Sequence, residues 1–374
     1  MSVKVIVKKA TYHYESLKPL IFEVMDDLGG DEMIKERTRV VIKPNLLTTA
    51  KPDDAVLTHY LLVKAVAEYV LEKGAVVRLS DSPGLGSFQK ILRGSGIKDA
   101  LAGLDVECSE FKETLPVDVG EPFGVIDLAR DALEAEVIIN LPKLKTHEQM
   151  LLTLGVKNMF GCVVGLRKPE WHMRAGADRD MFARLLVQIY LRVKPALTIL
   201  DGILAMEGEG PGKRGIPRRL DTIIAGRDAF AVDAAVCRML GLETDLLPTL
   251  KAAKGLGVLD EALEIEGDLP RIGDFQLPAM VSPILGPRMM HGFIRRYFLQ
   301  RPVCDDDLCQ VCGECGEFCP VRAISRDQER LNFNYDRCIR CYCCIEVCPY
   351  GALHAAEPLP GRMLRRIIRG KREK

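Results

Sequence analysis

Eight of the thirteen cysteines lie near the C-terminus in two copies of one spacing, Cys-x2-Cys-x2-Cys-x3-Cys-Pro. The first copy is Cys309, Cys312, Cys315, Cys319 and Pro320; the second is Cys338, Cys341, Cys344, Cys348 and Pro349. Three thiolates with two residues between neighbours can wrap one face of an iron–sulfur cubane, while a fourth, three residues further on, turns toward a neighbouring cluster. The spacing therefore predicts two 4Fe-4S clusters with exchanged ligands. Cys309, Cys312, Cys315 and Cys348 are assigned to one, and Cys338, Cys341, Cys344 and Cys319 to the other. Soft anionic sulfur cages of this kind select such clusters over hard cations.

The two copies are an internal repeat with a period of 29 residues, and the match runs past the sulfurs, Cys319–Ile324 (CPVRAI) against Cys348–Leu353 (CPYGAL). A duplicated unit of this type predicts a small bacterial ferredoxin-like (α+β) domain in which each half donates one ligand to the other's cluster. Structural zinc, the rival for paired Cys-x2-Cys steps, needs neither the third cysteine step nor the Cys-Pro ending. Disulfides are disfavoured by the tight spacing and by the lack of an export signal at the start of the sequence.

Lysine plus arginine and aspartate plus glutamate both number 52 over 374 residues, so no net charge pulls the chain toward nucleic acid or an acidic membrane. An aromatic-basic stripe of the kind that binds nucleic acid is lacking too. Apolar runs long enough to span a bilayer are absent, which makes a cytoplasmic protein the expectation. Oxygen-sensitive clusters fit an anaerobic prokaryotic host.

Residues 1–285 alternate short apolar runs with helix-period stretches, predicting an α/β domain on a mainly parallel sheet. Strands are expected at Val3–Lys8, Arg39–Lys43, Ala75–Leu79, Val137–Leu141, Ala196–Leu200 and Thr222–Ala225. Helices are expected at Leu57–Lys73, which Gly74 closes, and at Ser87–Arg93, Met181–Val193, Phe230–Leu240 and Leu247–Gly255. A linker over 286–303 leads to the cluster domain at 304–357. The tail, 358–374, carries seven lysines and arginines against Glu373 and an apolar stripe at helical spacing. That suits a solvated terminal helix or peripheral contact with an acidic partner or membrane surface.

Parallel sheets bind ligands beyond the carboxyl ends of their strands. Polar groups recur there: Lys43 with Asn45, Ser80-Asp81-Ser82, Lys143-Leu144-Lys145-Thr146-His147, Asp201-Gly202 and Glu207. Each also suits an ordinary cap or turn, and only their recurrence at successive strand ends points to a site. Lys43, Asn45, Asp81, Lys143, Lys157 and Asn158 are candidate substrate-binding residues for a small anion. His147, Lys145, His172 and Glu207 are candidate catalytic residues, the histidines because they exchange protons near neutrality. The glycine-rich stretches 84–87, 208–215 and 255–257 complete neither a phosphate loop nor a dinucleotide fingerprint. Cys108, Cys162 and Cys237 suit inert core thiols, whereas Cys304 and Cys343 fall outside the ligand spacing.

The segments Val41–Leu46 (VIKPNL), Ser80–Gly84 (SDSPG), Ile139–His147 (INLPKLKTH), Gly155–Gly161 (GVKNMFG), Asp201–Ile203 with Met206–Gly208, and Ala225–Asp228 with Ala231–Ala234 resemble the DUF362 family, a domain of unknown function. The resemblance spans about residues 38–270, and many members of the family carry a C-terminal ferredoxin domain. It supports the division into domains and supplies no reaction. The combined expectation is a ferredoxin-linked oxidoreductase that receives electrons from a redox partner protein, a ferredoxin or reductase, and acts on an anionic small molecule. The alternative is a non-catalytic electron carrier or adaptor that docks a partner enzyme.

Overall fold

Val137–Leu141 is buried at all five positions, as expected of a parallel strand covered on both faces. The computed structural model, which describes residues 2–84, 86–165, 167–175, 178–260, 262–278, 300–358 and 360, places this strand inside a ten-stranded sheet. From one edge the order is Leu263–Glu266, Val3–Lys9, Gly215–Gly226, Leu197–Gly208, Val137–Leu141, Arg39–Pro44, Val76–Leu79 and Val106–Cys108. Pairing is parallel except on the two sides of Gly215–Gly226 and in a short branch. In that branch Lys143–His147 runs parallel to Leu197–Gly208 and antiparallel to Leu151–Thr153.

Helices cover both faces. Tyr14–Asp27, Tyr60–Glu72 and Phe88–Gly94 bury Leu17, Ile21, Leu62, Val66 and Ile91 on one side. Arg179–Val193, Ala229–Met239 and Pro248–Gly255 bury Leu186, Val232 and Leu250 on the other. Gly74 takes φ 74°, the left-handed conformation that lets glycine end the Tyr60–Glu72 helix.

Four segments differ from their sequence reading. Strands Leu197–Gly208 and Gly215–Gly226 are each twelve residues long, well beyond the expected Ala196–Leu200 and Thr222–Ala225. Asp201-Gly202 looks like a turn, but the ladder continues through a register shift between Gly202 and Leu204. Glycine is needed there, since a Cβ on Gly202 would lie 2.8 Å from the Thr222 carbonyl oxygen. Lys143–His147, expected as a polar segment past a strand end, is itself a fully buried strand. The Tyr14–Asp27 helix lacks the usual sequence signals, since Pro19 lies inside it and His13 gives no side-chain cap.

In the C-terminal domain, Arg301–Cys304 pairs with Leu353–Ala356 and Ile324–Arg326 with Leu331–Phe333. The first ladder begins at Arg301, ahead of the expected boundary at 304. The duplication extends to the backbone. Left-handed conformations recur at the repeat period in Val311 and Arg340 (φ 48° and 58°), Gly313 and Tyr342 (87° and 59°), and Arg322 and Gly351 (49° and 64°). A β-branched residue such as Val311 adopts this region only where its surroundings impose it, and both loops lie among the cysteines. The 286–303 linker lies outside the described residues up to 299, as does the tail from 361 onward. Among the described residues, no helix is long and apolar enough to cross a membrane.

Candidate active site at the domain junction

Four cysteines, Cys309, Cys312, Cys315 and Cys348, line a hollow of about 290 Å³. Cys319, Cys338, Cys341 and Cys344 line a second, of about 320 Å³, together with Cys343. Among the described residues no three His, Cys, Asp or Glu side chains close on a single ion. Four thiolates around each space are the donor set a 4Fe-4S cubane requires. The last cysteine of each copy receives a backbone N–H from four residues on, Ala323 N to Cys319 Sγ at 3.1 Å and Ala352 N to Cys348 Sγ at 3.3 Å. Such bonds favour the thiolate and tune cluster potential.

A third cavity, open to solvent, lies between the two domains. The α/β domain contributes Lys43, Asn45, Asp81, Thr153, Lys157, Asn158, Gly161, Lys168 and His172; the ferredoxin domain contributes Phe318, Cys343, Glu346 and Val347. Cys343 therefore borders both this cavity and the second cysteine-lined hollow. Phe318 and Val347 are the chain neighbours of Cys319 and Cys348.

Several expected residues converge here. Lys43 Nζ lies 2.8 Å from Asp81 Oδ1, and Asp81 Oδ2 accepts from the Leu46 N–H at 2.9 Å. Gly161 packs against this pair so closely that a Cβ would sit 2.3 Å from Asp81 Oδ1. Lys157 lines the cavity, partly exposed, and its ammonium has no hydrogen-bond or ion-pair partner among the described residues. Burial lowers its pKa, while Glu346 and then Cys343 act to raise it. His172 stacks on Phe182 at 4.1 Å and meets the Phe160 edge at 5.5 Å; burial drives its pKa down to about 3.

Others lie outside the cavity wall. Lys143 is fully buried against Asp201, 2.9 Å away, and Tyr12, so its charge is committed to a structural network that also holds the His59 N–H. Lys145 donates to the Val56 carbonyl at 2.7 Å, and burial, then the Lys157 ammonium, brings its pKa down to about 7. Glu207 accepts from Arg218 at 2.8 Å and from the Gln276 N–H at 3.0 Å. His147 Nδ1 accepts the N–H groups of Gln149 and Met150, which leaves Nε2 to carry the proton 2.8 Å from Glu346 Oε1. That contact is close but not aligned as a linear hydrogen bond.

Sequence reasoning missed Lys168, Thr153 and Glu346. The Lys168 ammonium donates to the Ser82 carbonyl and, at 3.3 Å, to that of Pro83; burial brings its pKa to about 8. Its helical, highly charged neighbourhood gave no sign of this role. Glu346 lies between two cysteines of the second copy, a position where only the folded junction reveals its reach.

An α/β domain joined to a dicluster ferredoxin through a lysine-rich cavity defines the class. Residues 40–238 match the domain of unknown function DUF362, and residues 308–352 match a 4Fe-4S dicluster domain. The chain belongs to the DUF362 family. It is 36% identical over 303 residues to the thylakoid-associated protein sll1697 of Synechocystis sp. (strain ATCC 27184 / PCC 6803 / Kazusa), covering 79% of this chain and 94% of that one. Over 48 residues it is 42% identical to the electron transport protein HydN of Escherichia coli (strain K12), 12% of this chain and 27% of HydN. The lactate racemase apoprotein of Thermoanaerobacterium thermosaccharolyticum aligns with a TM-score of 0.41 at 11% identity, over 61% of this chain and 54% of that one. The protein is an iron–sulfur electron-transfer protein with two 4Fe-4S clusters.

Proposed function

We propose that this protein is an iron–sulfur oxidoreductase that reduces a small anionic molecule bound at the domain junction. The observation that carries the reading is the shared wall: Cys343 borders both the cavity and the hollow ringed by Cys319, Cys338, Cys341 and Cys344. When bound, the clusters supply electrons one at a time. The cysteine groupings around the two hollows support the ligand assignment made from the spacing. The hollow containing Cys312, an exposed residue, suits electron entry from a redox partner protein in a reducing compartment such as the cytoplasm.

In this reading Lys157 holds the anion, and Lys43 and Lys168 add positive potential to the wall. Three lysines face two carboxylates there, and Asp81 is already paired with Lys43. Low dielectric strengthens each of these interactions. Lys145, with its pKa near neutrality and placed behind Lys157, is suited to hold and release a proton. His172 and His147 are neutral at pH 7, and serve to shape the wall and to position Glu346.

The test is anaerobic reoxidation of reconstituted, pre-reduced protein by the ultrafiltered small-molecule fraction of a cell extract. Wild type is expected to reoxidise, and Lys157→Met to do so about tenfold more slowly, the cost of roughly one lost charged contact. Reoxidation that requires the macromolecular fraction instead would favour the carrier or adaptor.

A further inference from the structure

Three asparagine amides form a chain whose direction is fixed at its buried end. Asn140 Nδ2 donates to the Gly155 carbonyl at 3.0 Å and to Thr198 Oγ1 at 3.2 Å. A backbone carbonyl can only accept, so the Asn140 amide cannot be flipped. Its Oδ1 must then accept, and Asn158 Nδ2 donates to it at 2.8 Å. Asn158 Oδ1 accepts in turn from Asn45 Nδ2 at 2.8 Å. The last group is Asn45 Oδ1, an enclosed acceptor at the cavity wall with no partner among the described residues.

Besides His172 Nδ1 and Glu346 Oε1, which lies 2.8 Å from His147 Nε2, the same wall carries two donors without hydrogen-bond partners among the described residues, the Lys157 ammonium and the Thr153 hydroxyl, Thr153 being only 3% exposed. Both can donate, whereas the fixed Asn45 oxygen can only accept. Buried polar groups left unmatched disfavour any occupant that cannot satisfy them.

We propose that the cavity selects a molecule with an anionic head, held by Lys157 and Thr153, and a separate hydroxyl or amino donor, received by Asn45 Oδ1. Asn140 and Asn158 are positioning residues: they act by holding the Asn45 amide in one orientation. The proposal rests on the oxidoreductase reading for the cavity's purpose, but its chemistry applies equally to a carboxylate or a phosphate head.

The experiment measures binding to the oxidised, cluster-loaded protein by calorimetry and ligand-observed NMR, so turnover is not required. One arm compares glycerate with propionate; the other compares glycerol 3-phosphate with propyl phosphate. In at least one arm the hydroxyl-bearing probe is expected to bind about tenfold tighter, the usual consequence of satisfying a buried acceptor. The responding arm identifies the head group. Asn45→Ala should bring that ratio close to one while both clusters are retained. Asn140→Leu, which touches no cavity surface, should also reduce the ratio by freeing the amide chain; if this variant fails to fold, Asn45→Ala decides alone. Equal binding within both arms, binding of none of the four probes, or a ratio unchanged in Asn45→Ala overturns the proposal. Selective binding without any reoxidation by small molecules would instead overturn only the oxidoreductase reading.

Discussion

His147 Nε2 and Glu346 Oε1 lie 2.8 Å apart across the junction, joining a buried strand of the α/β domain to the helix between two cluster cysteines. Burial, then the Lys157 charge, lowers the His147 pKa to about 4, so the imidazole is neutral at pH 7. Burial works against the Glu346 anion, yet His147 and Lys157 hold its carboxyl well below the usual range. The two residues are therefore unequal partners, a fixed anion and a neutral dipole.

That inequality gives an ordered pair of mutational effects. Glu346→Ala leaves a neutral imidazole behind and should cost about 1 kcal/mol. His147→Leu leaves a mostly buried carboxylate without its neighbour and should cost more, about 3 kcal/mol. Anaerobic thermal unfolding of the cluster-loaded variants measures both, and the reverse order would contradict the charge assignment.

Stability should fall with acid through the buried histidines. The His172 pKa is lowered from 6.5 to about 3, so between those values the unfolded chain binds more protons than the folded one. The contribution is complete above about pH 6.5 and is lost progressively as pH drops toward 3, at up to about 1.4 kcal/mol per pH unit. His172→Gln is expected to show a shallower decline between pH 7 and 5 than wild type, whatever its absolute stability, in denaturant unfolding under anaerobic conditions.

Gly161→Ala tests the close approach at the cavity wall. A methyl group there would stand 2.3 Å from Asp81 Oδ1 and 2.6 Å from Lys43 Nζ, and must push apart a buried ion pair. A loss of about 1–3 kcal/mol is expected. An unchanged unfolding midpoint would mean that the Lys43–Asp81 pair can move at little cost.

Cys319 and Cys343 separate ligation from proximity. Cys319→Ser should disturb the same cluster as Cys338→Ser, although the two belong to different copies of the repeat, and low-temperature EPR of the reduced protein compares their signatures. Cys343→Ser should keep both clusters in full, as counted by iron and acid-labile sulfide, and alter only reoxidation through the cavity. Loss of a cluster in Cys343→Ser would make that residue a ligand.

Much of this architecture was legible in the sequence because its cause is local. Cysteine spacing foretells the two hollows, and runs such as Val137–Leu141 foretell buried parallel strands. Gly74 announces a helix end for a purely conformational reason. Residues whose role depends on distant partners were harder to place. Lys143 looks like an anion ligand and Lys145 like a catalytic group until Asp201 and the Val56 carbonyl, 58 and 89 residues away, take up their ammonium hydrogen bonds. Lys157 and Lys43 both line the cavity, Lys43 paired with Asp81 and Lys157 without a partner among the described residues. Glu346 was invisible for the opposite reason, since its neighbours in sequence are dominated by cluster chemistry.

The most direct measurement of the central claim is NMR of protein labelled with 15N at its six histidines, before and after reduction of the clusters. A paramagnetic centre at the cavity wall should shift or broaden the imidazole signals of His172, which lines the cavity, and of His147, 2.8 Å from Glu346, more than that of the exposed His13. Unperturbed His147 and His172 signals in fully reduced, cluster-loaded protein would contradict a redox centre beside the cavity.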